Sequence, residues 1–284
     1  MTAALLRPRD LEHALALVAG GARPLAGATD VWPSVTGADL PGPMVDLTAL
    51  PDLSGITATQ GGGLRIGACT TWGQVARAPL PPALHALQQA ARLVGGQQIQ
   101  TAATLGGNLC TASPAADGVP PLLACDAAVE LAGPRGPRAL ALADFLTGPR
   151  RTALAPDEVL VAVHLPAAGL AGASRFAKLG ARAHLVISIV MVAVRLTLHD
   201  GRIAAAAIAV GACAPTARRL PAVEAALAGV PLAEAASRIG DGMVAEALAP
   251  IDDIRASAPY RRSSAAELIR RALADLAGAR ASAT

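Results

Sequence analysis

Thr101-Ala102-Ala103-Thr104-Leu105-Gly106-Gly107-Asn108-Leu109-Cys110-Thr111-Ala112-Ser113-Pro114-Ala115-Ala116-Asp117 sets two adjacent glycines, an amide and several hydroxyls ahead of an acid. A stretch of this kind can wrap a polar ligand with backbone donors and short side chains, because glycine lets the backbone approach closely. A second one lies upstream, Pro24-Leu25-Ala26-Gly27-Ala28-Thr29-Asp30-Val31. There a short strand runs into a glycine turn, with a hydroxyl and a carboxylate where a helix begins. Helix N-termini offer N–H groups to anions such as phosphate. Taken alone, this upstream stretch reads first as a helix start capped by Thr29 or Asp30. Neither stretch is a P-loop, since no Gly-Lys-Ser/Thr follows, and neither carries the G-x-G-x-x-G fingerprint.

Outward from these turns, helices and strands alternate. Asp10 is placed to cap a helix through Leu11, Ala14, Leu15 and Val18, stopped by Gly20-Gly21. With strands at Arg23–Leu25 and Met44–Leu47, residues 1 to about 55 make a small α/β unit. Ile56–Gln60 and Leu64–Gly67 read as a hairpin across Gly61-Gly62-Gly63. Thr70-Thr71 caps a helix carrying Trp72 and Val75, and Leu84, Leu87, Ala91 and Val94 share one face of a longer helix that Gly95-Gly96 stops. A short buried helix at Leu122–Cys125 and strands at Val129–Leu131 and Val159–Leu165 complete a second α/β unit. Pro166–Ala173 reads as a linker. Beyond it, Arg175–Leu179, Ser188–Leu198 and Arg202–Val210 predict three antiparallel strands, the last two joined by His199-Asp200-Gly201. Helices are expected at about 217–228, 232–247 and 262–278.

Composition narrows the function. At 284 residues, 53% hydrophobic and 16% charged, the chain is long enough for a substantial core and too apolar for disorder. Five aromatics (Trp32, Trp72, Phe145, Phe176 and Tyr260) and a net charge of +3 argue against a base-stacking nucleic-acid platform. Cys69, Cys110, Cys125 and Cys213 show no C-x-x-C spacing, so a zinc or iron–sulfur site within the chain is not expected. They fit small buried thiols in a reducing compartment. The start Met1-Thr2-Ala3-Ala4-Leu5-Leu6-Arg7 lacks the pattern of a signal peptide, and the most apolar run, Leu185–Val194, is too short to span a bilayer. A cytoplasmic protein is expected. Nothing around the histidines suggests a hydrolytic triad, so none is expected. Lys178 is the single lysine of the chain.

The two glycine turns, their separation, and the continuation Asp117-Gly118-Val119-Pro120-Pro121-Leu122-Leu123-Ala124-Cys125-Asp126-Ala127 resemble the FAD-binding (medium) subunit of the molybdenum hydroxylases, the group of xanthine dehydrogenases and carbon monoxide dehydrogenases. Leu142-Ala143-Asp144-Phe145, Asp157-Glu158-Val159-Leu160, Phe176-Ala177-Lys178-Leu179-Gly180-Ala181-Arg182 and the tail Asp253–Arg262 carry the likeness across nearly the whole chain. The resemblance implies an α+β fold. It consists of a vanillyl-alcohol-oxidase (PCMH-type) FAD-binding domain over 1–168, in subdomains of about 1–55 and 56–168. A smaller C-terminal domain over 172–284 follows, with a three-stranded antiparallel sheet and helices.

The resemblance also implies the chemistry. FAD is expected to lie extended between the subdomains. Its pyrophosphate would sit on the first turn, Pro24, Leu25, Ala26, Gly27, Ala28, Thr29, Asp30 and Val31, and on Thr104, Gly107 and Asn108 of the second. Asp117 matches an acid that binds the adenosine ribose, Leu160 an apolar residue lining the flavin, and Lys178 a flavin-contacting lysine. Asp117 also reads as a turn cap and Lys178 as an exposed strand-end charge. Val94 stands where many relatives have an aromatic, and Ala183-His184-Leu185-Val186 lacks an acid found in many. No residue is expected to act on the organic substrate. A molybdenum-cofactor large subunit and a small subunit with 2Fe-2S clusters are the implied partners, in a heterotrimer that pairs into a dimer of heterotrimers. FAD would pass the electrons to NAD or another acceptor. The likeness of Lys178–Val190 to bacterial xanthine dehydrogenases points to a purine substrate. A carbon monoxide, aromatic or N-heterocycle dehydrogenase subunit and a standalone flavoprotein oxidoreductase are the alternatives.

Overall fold

A computed structural model of the chain describes residues 4–35 and 42–281. Met1–Ala3 of the stretch read for a targeting signal, and the last three residues of the expected C-terminal domain, lie outside the described residues. The first unit is a three-stranded parallel sheet of β1 (Leu5–Leu6), β2 (Arg23–Leu25) and β3 (Met44–Asp46), in the order β1-β3-β2. The helix between the first two strands, α1 (Leu11–Ala19), starts where expected, with Asp10 Oδ1 accepting the His13 N–H at 2.7 Å. Ala14 and Val18, one turn apart, turn inward against Val45 and Leu47.

The second unit is a five-stranded sheet in the order β4-β5-β10-β6-β7, every pairing antiparallel. Its strands are β4 (Ile56–Ala58), β5 (Leu64–Gly67), β6 (Ala128–Gly133), β7 (Gly136–Ala141) and β10 (Val159–Leu165). A two-stranded ribbon, β8 (Leu146–Gly148) and β9 (Arg151–Thr152), interrupts it. Between β5 and β6 run α2 (Trp72–Arg77), α3 (His85–Leu93), α4 (Gln97–Ala102), α5 (Leu105–Thr111) and α6 (Val119–Ala124), and α7 (Leu142–Phe145) follows β7. Trp72, Leu87, Leu105, Leu109, Leu122 and Phe145 pack with Val129 and Val163 into one core. The glycine-rich stretch after Thr104 is thus helical.

Past Leu165 the chain leaves this sheet and enters a separate one in the order β11-β12-β13-β14. These strands are β11 (Ala173–Leu179), β12 (Val190–His199), β13 (Arg202–Gly211) and β14 (Arg218–Arg219). Asp200 and Gly201 join β12 to β13 with φ of +48° and +76°, positive at both central residues, as a tight hairpin requires. The sheet therefore has four strands, not three. The fourth strand is two residues long, too short to leave a periodic pattern, and Arg218–Arg219 was covered by the helix expected from 217. That helix, α8 (Pro221–Ala226), begins later because Pro221 suits a first helical turn. The expected 232–247 helix is two short 3₁₀ turns and α9 (Asp241–Glu246), since Gly240 interrupts it. The last helix, α10 (Ala258–Ala281), packs Ala265, Ile269, Ala272 and Leu273 against Val192, Val194 and Ile208.

Candidate functional site

The two glycine stretches meet across a groove of about 650 Å³ between the first and second units. All eight residues from Pro24 to Val31 line it, as do Thr104, Gly107 and Asn108. The turn at 26–30 is shaped by Ala28, whose φ of +57° lies in the left-handed region that non-glycine residues rarely adopt. The Val31 and Trp32 N–H groups both close back on the Ala28 carbonyl, each at 3.0 Å. Among the described residues, the N–H groups of Gly27, Ala28, Thr29 and Asp30 donate to no protein acceptor. Gly27 is required by contact rather than by φ: a Cβ there would stand 1.9 Å from the Ala102 carbonyl oxygen, so the two units touch backbone to backbone.

The opposite wall is the start of α5. Thr104 is its N-cap, with Oγ1 accepting the Gly107 N–H at 3.1 Å. Leu105 N–H donates to the Thr70 carbonyl at 2.9 Å and Gly106 N–H to that of Ala68 at 2.8 Å, so this wall is fastened to the turn that follows β5. A Cβ on Gly107 would meet nothing but the Thr104 hydroxyl, at 2.9 Å; the rest of its surroundings are open. Asn108 Oδ1 is buried and accepts no hydrogen bond in the protein. A buried amide oxygen left unpaired on a groove wall calls for a donor from a ligand or water.

The groove also holds residues that the sequence reading did not single out. Arg23 and Arg150 face it, as do Trp72, Ile99 and Ala103. Across one end, Asp30 Oδ2 accepts from Thr111 Oγ1 at 2.7 Å and stands 3.9 Å from Arg150 Nη1. Arg150 lies on the β8–β9 turn, in no motif and far from both glycine stretches in sequence, so nothing local could have signalled it. Val94, noted above as a departure from the family pattern, lines the groove. Cys110 is the exception among the thiols: it is exposed on this wall, whereas Cys69, Cys125 and Cys213 are buried.

Asp117, Leu160 and Lys178 are not part of this lining. Leu160 is buried in the core on β10, beside a bulge in the pairing with β6. Asp117 and Lys178 meet each other instead. Lys178 Nζ donates to Asp117 Oδ2 at 2.6 Å, and Ser188 Oγ donates to Oδ1 at 2.5 Å. Both ion-pair partners are buried, with side chains 7% and 9% exposed for the lysine and the acid. Burial pushes the Asp117 carboxyl up, and Lys178 and Ser188 pull it back. The sequence reading sent these two residues to opposite ends of an extended FAD. The structure brings their charged atoms into contact. They adjoin the groove through Gly118, where a Cβ would stand 2.4 Å from the Trp72 ring and 3.0 Å from Asn108 Oδ1. Arg182 folds back on the Leu185 carbonyl, and His184 is exposed on the same loop.

Free N–H groups on one wall, two guanidiniums, an unpaired buried amide oxygen and a glycine that leaves space suit a ligand with an anionic middle and hydrogen-bonding arms. FAD has that form, so the residues present fit it.

Comparison with known proteins agrees with this reading. A family model described as the FAD binding domain in molybdopterin dehydrogenase matches residues 1–168, and one described as the CO dehydrogenase flavoprotein C-terminal domain matches residues 175–276. The chain is 34% identical over 261 residues to a xanthine dehydrogenase FAD-binding subunit of Escherichia coli O157:H7, covering 90% of this chain and 89% of that one. Among solved structures, it resembles a chain of reconstituted CO dehydrogenase from Oligotropha carboxidovorans with a TM-score of 0.85 at 29% identity, covering 96% of each. It also resembles a chain of quinoline 2-oxidoreductase from Pseudomonas putida 86 with a TM-score of 0.87 at 26% identity, covering 98% of each.

Proposed function

Because the chain belongs to the FAD-binding subunits of the molybdenum hydroxylase family, we propose that it is the electron-transfer subunit of such a complex. In this reading it links the 2Fe-2S clusters of a partner subunit to NAD or another acceptor. The observation that carries the proposal is the groove between the first two units, whose two glycine walls combine unpaired N–H groups with the orphaned Asn108 oxygen. The N–H groups of 27–30, with Arg23 and Arg150, would hold the pyrophosphate without a mobile cation. Asn108 would take a donor from the ligand. The Asp117–Lys178 pair would act at one end of the cofactor, with the Lys178 ammonium the nearer positive charge. Leu160 would support that end from the core. FAD, when bound, supplies the ability to accept electrons singly and release them in pairs; the chain supplies placement and exclusion of water.

Among the described residues no group of histidines, cysteines and acids could hold a metal ion. Iron–sulfur and molybdenum centres are assigned to partner chains in this proposal, in a heterotrimer that pairs as a dimer, a reading that rests on the family and on the lack of cluster spacing among the four cysteines. A purine is the substrate class proposed for the complex, supported by the 34% identity to a xanthine dehydrogenase subunit. The test is the visible spectrum of the complex purified through a tag on this chain, with its gel bands counted. A flavin band with iron–sulfur absorbance and two further polypeptides is expected. A yellow single-band protein that turns over substrate alone would replace the proposal with a standalone flavoenzyme.

A further inference from the structure

A second cavity, of about 360 Å³, opens at the seam between the FAD-binding domain and the loop after β11. Its wall includes Gly73, Arg77, Arg92 and Gln100 and, from the loop, His184 and Leu185, so it contains two guanidiniums and no acid. Arg77, in the last turn of α2, makes no hydrogen bond or ion pair among the described residues. Its guanidinium lies over Gly73, where a Cβ would come within 3.2 Å of Nη2; the missing side chain leaves room for it. Arg92 is tethered by one bond, Nη2 to the Ala76 carbonyl at 3.0 Å, and its other N–H groups remain available. The wall between them is stiff. Gln100 Nε2 donates to the carbonyls of Arg92 and Val94 at 3.0 and 3.1 Å and so braces the turn 92–100.

We infer that this cavity is a binding site for the phosphate groups of a small molecule other than FAD. Two guanidinium forks without a neighbouring carboxylate match the oxygens of phosphate, and the volume exceeds a single oxyanion. Position supports the inference. Val94 and Ile99 line the flavin groove, and Gly95, Gly96 and Gln97 between them line this cavity, so the two share the wall 94–99. A phosphate-bearing molecule held here would sit next to the groove, as a soluble electron acceptor of the flavin must. This use of the cavity rests on the proposed function; the anion site itself does not.

The test is calorimetric titration of the purified, FAD-loaded complex with inorganic pyrophosphate, with FAD content read from the flavin band. Saturable binding that weakens with salt is expected. Arg77→Ala and Arg92→Ala should each weaken it at least tenfold and leave FAD content unchanged, and Arg77→Lys should restore part of it. Absent binding, or binding unaltered in the double variant, overturns the inference. Binding that appears only after FAD is stripped also overturns it, because the cavity then belongs to the phosphates of FAD itself. A chain that never holds FAD refutes the flavin reading, and the same titration on that protein still decides the anion site.

Discussion

Gly107 and Glu158 show how much a single side chain, present or absent, decides in this molecule. At Gly107 an added side chain meets the Thr104 hydroxyl and otherwise projects into open space on the groove wall. Gly107→Val is therefore expected to abolish FAD retention while the chain still folds. The check is the flavin-to-protein absorbance ratio beside an unchanged circular dichroism spectrum; a stoichiometric flavin would refute this placement of the groove. Glu158 is buried at the start of β10, where Arg138 Nε and Nη2 each donate to it at 2.7 Å and the Ala155 N–H at 2.9 Å. The Arg138 bonds, with the Ala155 amide, hold its carboxyl down at about 2 against burial. A depressed folded-state pKa stabilises above the unfolded value, here 4.5, and that stability is lost as the pH falls through about 2. Arg138→Ala should destabilise the fold at neutral pH, because it removes two hydrogen bonds from the buried Glu158 carboxylate. It should also flatten the acid limb between these two values in denaturant melts taken across pH.

At the scale of elements, the groove depends on how two short helices begin. The caps of α2 and α5 face each other. Thr71 forms a capping box with Gln74, Thr104 caps α5, and the two threonines pair as an isolated antiparallel bridge. Each helix has at most seven residues, too short to persist alone, so cap and packing must hold it. Thr104→Ala is expected to lose about 1 kcal/mol, as cap removal does. It should also remove the Thr104 hydroxyl from the groove wall. A melting curve reads the first effect, and the rate of FAD loss on dilution, expected to rise, reads the second. The cap at Thr71 was legible in sequence because threonine stands ahead of an apolar pattern. The helix after Thr104 was not, because Gly106-Gly107-Asn108 has low helix propensity. Burial of Leu105 and Leu109 in the core outweighs it.

Across the whole molecule, the two domains meet on an apolar patch, with Phe176, Met191, Ala193 and Ala207 packed against Ala86, Ala90 and Ala124, and arginines bond across the same seam. Arg195 on β12 is buried and donates to the Ala124, Ala168 and Ala171 carbonyls at 2.7, 3.2 and 3.3 Å. Arg219 donates to the Leu123 carbonyl at 3.1 Å and to Asp126 at 2.7 Å. Together they neutralise the C-terminal end of α6, whose last carbonyls lack helical partners. The Asp117–Lys178 pair closes the same seam; removing either member would strand a buried charge at a cost of about 3–5 kcal/mol. Arg195→Met keeps volume and removes the donors. It is expected to lower the melting temperature by about 5 °C, from ~2 kcal/mol at 2–4 °C per kcal/mol, and to split the calorimetric transition as the domains uncouple. A single unshifted transition would mean the seam is held by other contacts.

The amino-acid sequence alone determined the α/β character of the first two units, the change of sheet after Leu165 and the two glycine stretches. These are local: apolar periodicity, caps and turn residues act over a few positions, and the ordered motifs carried the family. Tertiary structure alone decided that Arg23, Arg150 and Val94 face one groove with those glycines, and that Asp117 and Lys178 touch. It also decided that Arg77 and Arg92 line a cavity free of acids. Those juxtapositions depend on how separate units dock, and residues dozens of positions apart carry no mark of which neighbour the docked chain will give them.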